Sequence, residues 1–151
     1  MKSVLISIRP KWCEAIAAGE KTIEVRKTRP KIEPPFRCYI YETNSTKGVH
    51  GFSVLGRYRI GQVIGEFICD KVMFLTPLGL RGFEMREEIL KLSCLTNDDL
   101  NAYGGLKTLY GWHISDLKIY DRPRELSEFG RFDGTVPMKR PCAPWCYVKE
   151  R

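Results

Sequence analysis

The chain has 151 residues, of which 43% are hydrophobic and 28% charged, and its formal net charge is +7. That is about one domain of chain with enough apolar residues for a single core, which excludes a disordered segment. No apolar run approaches the ~20 residues of a bilayer span, and Met1–Arg9 has too short an apolar stretch for a secretory leader. A cytoplasmic, single-domain protein spanning 1–151 with no membrane partner is expected.

Val4–Ile8 is rich in β-branched residues and stops at Arg9-Pro10, which predicts a buried strand. Pro10 suits the first turn of a helix, and Trp12, Ala15 and Ile16 then fall on one helical face. Gly19 stands where a helix C-terminus wants a left-handed residue. Lys21–Lys27 alternates with period two and predicts a second strand. Pro30, Pro34 and Pro35 break the chain before a third strand at Phe36–Tyr41. Residues 44–61 are polar, glycine-punctuated and long for a connection, as functional loops often are.

Gln62–Leu75 reads as a long strand with Gly65 as a bend or bulge. Glu84–Leu92 is helical, and Thr96 is the expected N-cap of a second short helix. A strand region begins at Tyr110–Ser115 and is expected to end at Arg122-Pro123; Trp145–Val148 is the last strand. Strands dominate and the helices are insertions between them. The expected class is therefore α+β: a mostly antiparallel, closed β-barrel with a helix after the first strand and two short helices before the last strands. A doubly wound sheet, which alternates strand and helix throughout, does not fit.

The charge is unevenly placed. Residues 1–31 carry +5, residues 32–117 carry −1, and residues 118–151 carry +3. If the two ends meet in the fold they form one basic face, suited to a phosphate backbone. The six cysteines give no zinc pattern, because the only close pair, Cys142 and Cys146, lacks a matching second pair. Free thiols, no metal and no cofactor are expected.

Gly19-Glu20-Lys21-Thr22-Ile23-Glu24-Val25-Arg26-Lys27 resembles the GxKxxExR motif of the ASCH domain family. Ser7-Ile8-Arg9-Pro10-Lys11-Trp12, Val63-Ile64-Gly65-Glu66-Phe67 and Tyr110-Gly111-Trp112-His113-Ile114-Ser115 match further landmarks of that family. The closing Pro144-Trp145-Cys146-Tyr147-Val148 is similar to the tail of a bacterial and prophage branch. The resemblance implies a PUA-like barrel that binds RNA or a nucleotide-like ligand in a cleft beside the first helix. Ribonuclease activity is reported for some members, and removal of acetyl groups from acetylated cytidine nucleosides for one branch. That branch uses a nucleophilic threonine where this chain has Glu24, and a carboxylate cannot replace an alkoxide attacking an amide.

Taken on their chemistry, Thr22, Glu24 and Arg26 share one face of the predicted strand, and Lys21, Ile23 and Val25 the other. Glu24 and Arg26 can pair with each other, or recognise a base edge and a phosphate respectively, unless this is simply a solvated face. Lys21 follows the turn that ends the helix, so its amine can swing over a cleft mouth. Lys11 is the better cleft candidate than Trp12, whose helical face points to core packing. The ligand-binding set is thus Lys11, Lys21, Glu24 and Arg26, and the catalytic candidates of an enzyme are Lys21, Glu24 and Glu66. Glu66 lies in an apolar strand, as a carboxylate of raised pKa, as a partner of Lys21 or Arg26, or exposed at a rim. His113 reads as structural, and His50 sits in a glycine-rich stretch that does not match a P-loop. Tyr39, Tyr41, Trp112 and Trp145 are candidates for an aromatic cage around a base.

Overall fold

The computed structural model describes residues 2–43, 61–75, 83–105, 107–131 and 134–151. Among the described residues, seven strands form one sheet: β1 (Ser3–Ile8), β2 (Ile23–Arg26), β3 (Phe36–Glu42), β4 (Gln62–Leu75), β5 (Leu109–Arg124), β6 (Phe129–Arg131) and β7 (Trp145–Glu150). Helix α1 (Pro10–Ala17) follows β1, and α2 (Phe83–Ser93) and α3 (Asn97–Gly104) lie between β4 and β5. All but Gly61 of the connection read over residues 44–61, His50 included, lies outside the described residues.

The strand order is β2-β5-β4-β3-β1-β7-β6. Neighbours pair antiparallel except β1 and β3, which run parallel in the register Val4–Cys38 to Ile8–Glu42. The two chain ends meet, because β1 pairs with β7 from Ser3–Val148 to Ile6–Trp145.

The expected closed barrel is not formed: the ladder is open, with the short strands β2 and β6 at its two ends. β1 already has β3 on one side and β7 on the other, so it has no edge left for β2 to pair with. A side chain crosses that gap instead, with Arg26 Nη2 donating to the Ser7 carbonyl at 2.7 Å. β5 also runs past the expected stop at Pro123, and β6 is a strand that the sequence pattern did not announce.

Apolar residues on both faces explain why β1 is central. Val4, Ile6 and Ile8 enter a core with Cys13 and Ile16 of α1, Phe67 and Trp112, while Leu5 enters a second core with Tyr39, Val63, Phe129 and Val148. A third cluster joins Ile23 and Val25 of β2 to Ile89 of α2 and Leu100 of α3. Gly65 permits the close passage of β4 over β5, since a Cβ there would lie 2.5 Å from the Lys118 carbonyl oxygen. The pairing register shifts between Val63 and Gly65, as expected of a bulge.

Cys142 and Cys146, read above as free thiols, are joined as a disulfide, their Cα atoms 5.7 Å apart, while Cys13, Cys38 and Cys69 are buried free thiols. The cysteine count alone gave no sign of this pair, whose second member lies in β7. Among the described residues no helix is long and apolar enough to cross a membrane, and no group of three or more His, Cys, Asp or Glu is placed to hold a metal ion.

Candidate functional site

A cleft of about 410 Å³ opens where β2 leaves the sheet edge. Ser7, Arg9, Trp12, Lys21, Glu24 and Arg26 form one side, and Leu95, Asp99 and Tyr103 the other.

The C-terminal turn of α1 sets the position of Lys21. Gly19 adopts a φ of 77°, and the amides of Glu20 and Lys21 both donate to the Ala15 carbonyl. The chain therefore folds back beneath α1 before β2 begins, and strict strand alternation starts only at Ile23. For that reason Lys21 and Glu24, placed on opposite faces by parity, meet: Lys21 Nζ lies 3.4 Å from Glu24 Oε2. The amine also donates to the Ser93 carbonyl at 2.5 Å, which ties it to the end of α2.

Glu24 is held from both sides, since Arg26 Nε donates to its Oε1 at 3.0 Å. Lys21, only 2% exposed, and Glu24 are buried, and Arg26 is nearly so. Removing the Lys21 ammonium from water pulls its pKa below the ordinary lysine value, with the Glu24 carboxylate opposing the shift. The result is a largely buried, mutually bonded array of two basic groups about one carboxylate.

Trp12 forms a wall of the cleft. Lys21 Nζ lies 4.9 Å from its ring and Lys11 Nζ 4.7 Å, a double cation–π contact. Trp12 packs against the first core, as its helical face suggested, and lines the cleft as well, whereas Lys11 is exposed over the indole and is not among the lining residues. The opposite wall comes from α3. Thr96 caps it reciprocally with Asp99, whose amide donates to Thr96 Oγ1 at 3.1 Å while the Thr96 amide donates to Asp99 Oδ2 at 2.9 Å. That bond from the Thr96 amide holds the Asp99 carboxyl below its usual pKa. Tyr103, one turn further, presents an exposed ring to the cleft and to Lys27, whose Nζ lies 4.8 Å from it.

Glu66 belongs elsewhere. It pairs with Arg37 at 3.0 Å, is not among the residues lining the cleft, and meets neither Lys21 nor Arg26. Its strand is separated from β2 by β5, a distance that no sequence pattern revealed. His113 has a partner in Asp70, with Nδ1 2.6 Å from Oδ1. The four aromatic residues weighed as a cage do not form one. Tyr39, Tyr41 and Trp112 are buried in the cores, and Trp145 packs edge-on against Trp112. Sequence reasoning did not single out Arg9, Asp99 or Tyr103. The spacing of Asp99 and Tyr103, four apart on a short polar helix, was the one available signal.

The model of the ASCH domain matches residues 6–103, a span that contains α1, β2 and every residue lining the cleft. A relative from Zymomonas mobilis named "ASCH domain-containing ribonuclease" is 39% identical over 54 residues. The match covers 36% of this chain and 36% of that protein. The crystal structure of ASCH from Zymomonas mobilis superimposes with a TM-score of 0.61 at 21% identity, covering 83% of this chain and 74% of that one. A tyrosine-to-phenylalanine variant of the Zymomonas mobilis protein superimposes equally well, with a TM-score of 0.61 at 20% identity, covering 83% of this chain and 77% of that one. With the family's domain model matched over most of the chain and the same fold found in solved ASCH structures, this chain belongs to the ASCH domain family.

Proposed function

We propose that this domain binds single-stranded RNA in the cleft between α1, β2 and α3. The observation that supports this most is the joining of a cation-rich floor and an exposed aromatic wall in one concave site. Arg9, Lys21 and Arg26 face Glu24 and Asp99, and Lys11 and Lys27 stand at the rim, so the cleft is net positive. Lys21 and Arg26 are fixed before any ligand arrives, which means their field acts on a phosphate without reorganisation. A base splayed out of a single strand can stack on Tyr103 for about 1–3 kcal/mol. The cleft volume suits a group of nucleotide size, so a free nucleotide is the competing occupant.

The test is fluorescence anisotropy of labelled single-stranded RNA at two salt concentrations, for the natural protein and for Arg9→Gln and Lys21→Ala. Affinity should fall steeply with salt and fall further in both variants. The exposed Arg9 provides a variant whose folding is not at issue. Absence of binding at low salt, or tighter binding of a mononucleotide than of RNA, overturns the proposal.

RNA cleavage is a second reading, favoured by the lowered pKa of Lys21 and by the name of the Zymomonas mobilis relative. An amine shifted toward neutrality can take the proton from a 2′-hydroxyl as it attacks phosphorus. As the P–O2′ bond forms and the P–O5′ bond breaks, the adjacent guanidiniums would stabilise the charge gathering on the phosphoryl oxygens, and the departing 5′-oxygen would take its proton from solvent water. Shortening of the RNA probe, with a rate that rises with pH as Lys21 loses its proton, supports this reading. An intact probe after long incubation removes it.

A further inference from the structure

We infer that the RNA site does not end at the cleft but continues into a second basic groove along residues 27–33. This inference rests on the RNA-binding reading of the cleft and extends it to the length of strand bound. The groove is an open depression of about 540 Å³ with Lys27, Arg29 and Lys31 along it, a single acid in Glu33, and Tyr110 at its base. Three cations against one carboxylate give it the same sign as the cleft.

The two depressions border each other at Arg26 and Lys27. Arg26 lines the cleft, and Lys27, the next residue, lines the groove. Tyr110 stands directly opposite Arg26 in the β2–β5 register. Lys27 Nζ bridges back to the Tyr103 ring of the cleft wall at 4.8 Å. A strand leaving the cleft past Tyr103 therefore meets Lys27 first and then Arg29 and Lys31.

The groove is also built rather than loose. Two tryptophans anchor Thr28: Trp112 Nε1 donates to its carbonyl at 3.3 Å, and Trp145 Nε1 to its Oγ1 at 2.9 Å. The Lys31 amide donates to Tyr147 Oη at 2.8 Å. Arg29 donates to the Pro30 and Ile32 carbonyls, both at 3.3 Å, and so shapes the turn. The Lys31 side chain remains exposed on this braced segment. Beyond Tyr110, Phe74 packs edge-on at 5.5 Å and is 59% exposed, which leaves its ring open for a base to stack on. Alternating cations and exposed rings of this kind track a single-stranded backbone and its bases.

The experiment compares a short oligouridylate that fills only the cleft with one several times longer, for the natural protein, Lys31→Glu, Phe74→Ser and Arg9→Gln. Thermal unfolding checks that each variant is folded. The longer RNA should bind the natural protein at least tenfold more tightly. Lys31→Glu and Phe74→Ser should each abolish most of that gain while leaving the short RNA unaffected. The slope of log affinity against log salt should fall by about 0.7 for each phosphate that the variant no longer neutralises. Equal affinity for both lengths, or a gain untouched by these variants, overturns the groove and leaves the cleft standing. A long RNA that binds Arg9→Gln normally but fails on Lys31→Glu upholds the groove and counts against the cleft. Failure of both RNAs to bind the natural protein removes both.

Discussion

Replacing Lys21 by Met removes the charge and keeps most of the volume. Glu24 then loses the cation 3.4 Å from Oε2, and the Ser93 carbonyl loses a donor at 2.5 Å, both in a buried setting. Removing one partner of a buried pair costs about 3–5 kcal/mol, and an unsatisfied buried acceptor about 1–3 kcal/mol. Two features reduce the total: Arg26 still holds Glu24 Oε1, and the penalty for burying the ammonium disappears. A net loss of about 3 kcal/mol follows, which for a domain of this size lowers Tm by roughly 6–12 °C. Thermal unfolding followed by circular dichroism near neutral pH measures it.

The same variant has a pH signature. Burial lowers the folded-state pKa of Lys21 below its unfolded value of 10.5. Between those two values the unfolded chain holds a proton that the folded chain has released, so raising the pH favours folding. The penalty is complete below the lowered pKa and vanishes as pH approaches the unfolded value. The advantage of the natural protein over Lys21→Met should therefore widen with rising pH across that window. A drop in Tm under about 2 °C, or an advantage that narrows with pH, refutes the buried-array account.

Glu66→Gln should leave RNA affinity unchanged and cost under about 1 kcal/mol, because its Arg37 partner is half exposed; anisotropy and thermal melts test both. Thr96→Ala removes the cap of α3 at a cost of about 1 kcal/mol and should weaken RNA binding as well, since α3 carries Tyr103 into the cleft. A binding titration on the folded variant is the check. Gly65→Ala should destabilise by about 1–3 kcal/mol, as the added Cβ meets the Lys118 carbonyl of β5 rather than a movable side chain; a denaturant melt measures it.

The elements were largely legible because each carries a local cause. Pro10 opens α1, Gly19 closes it, Thr96 caps α3, and the apolar run of β1 is buried on both faces. What could not be read was how distant elements meet. The parallel pairing of β1 with β3 leaves no edge for β2, and that left the sheet open where a barrel was expected. For the site, the motif brought Lys21, Glu24 and Arg26 together, but the alternation rule put Lys21 on the wrong face because it lies in the helix-ending turn. Asp99 and Tyr103 join from more than seventy residues away, and Glu66 goes to Arg37, since sheet order rather than local pattern decides both.

The central claim is that RNA lies in this cleft, and the most direct measurement is where it crosslinks. Irradiation of the natural protein with a thiouridine-substituted single strand, followed by peptide mass spectrometry, locates the bound strand. Crosslinks on the peptides carrying Trp12 and Tyr103, lost in the presence of excess unlabelled RNA and at high salt, are the predicted result. Crosslinks confined to peptides outside the cleft and its adjoining groove would contradict the account.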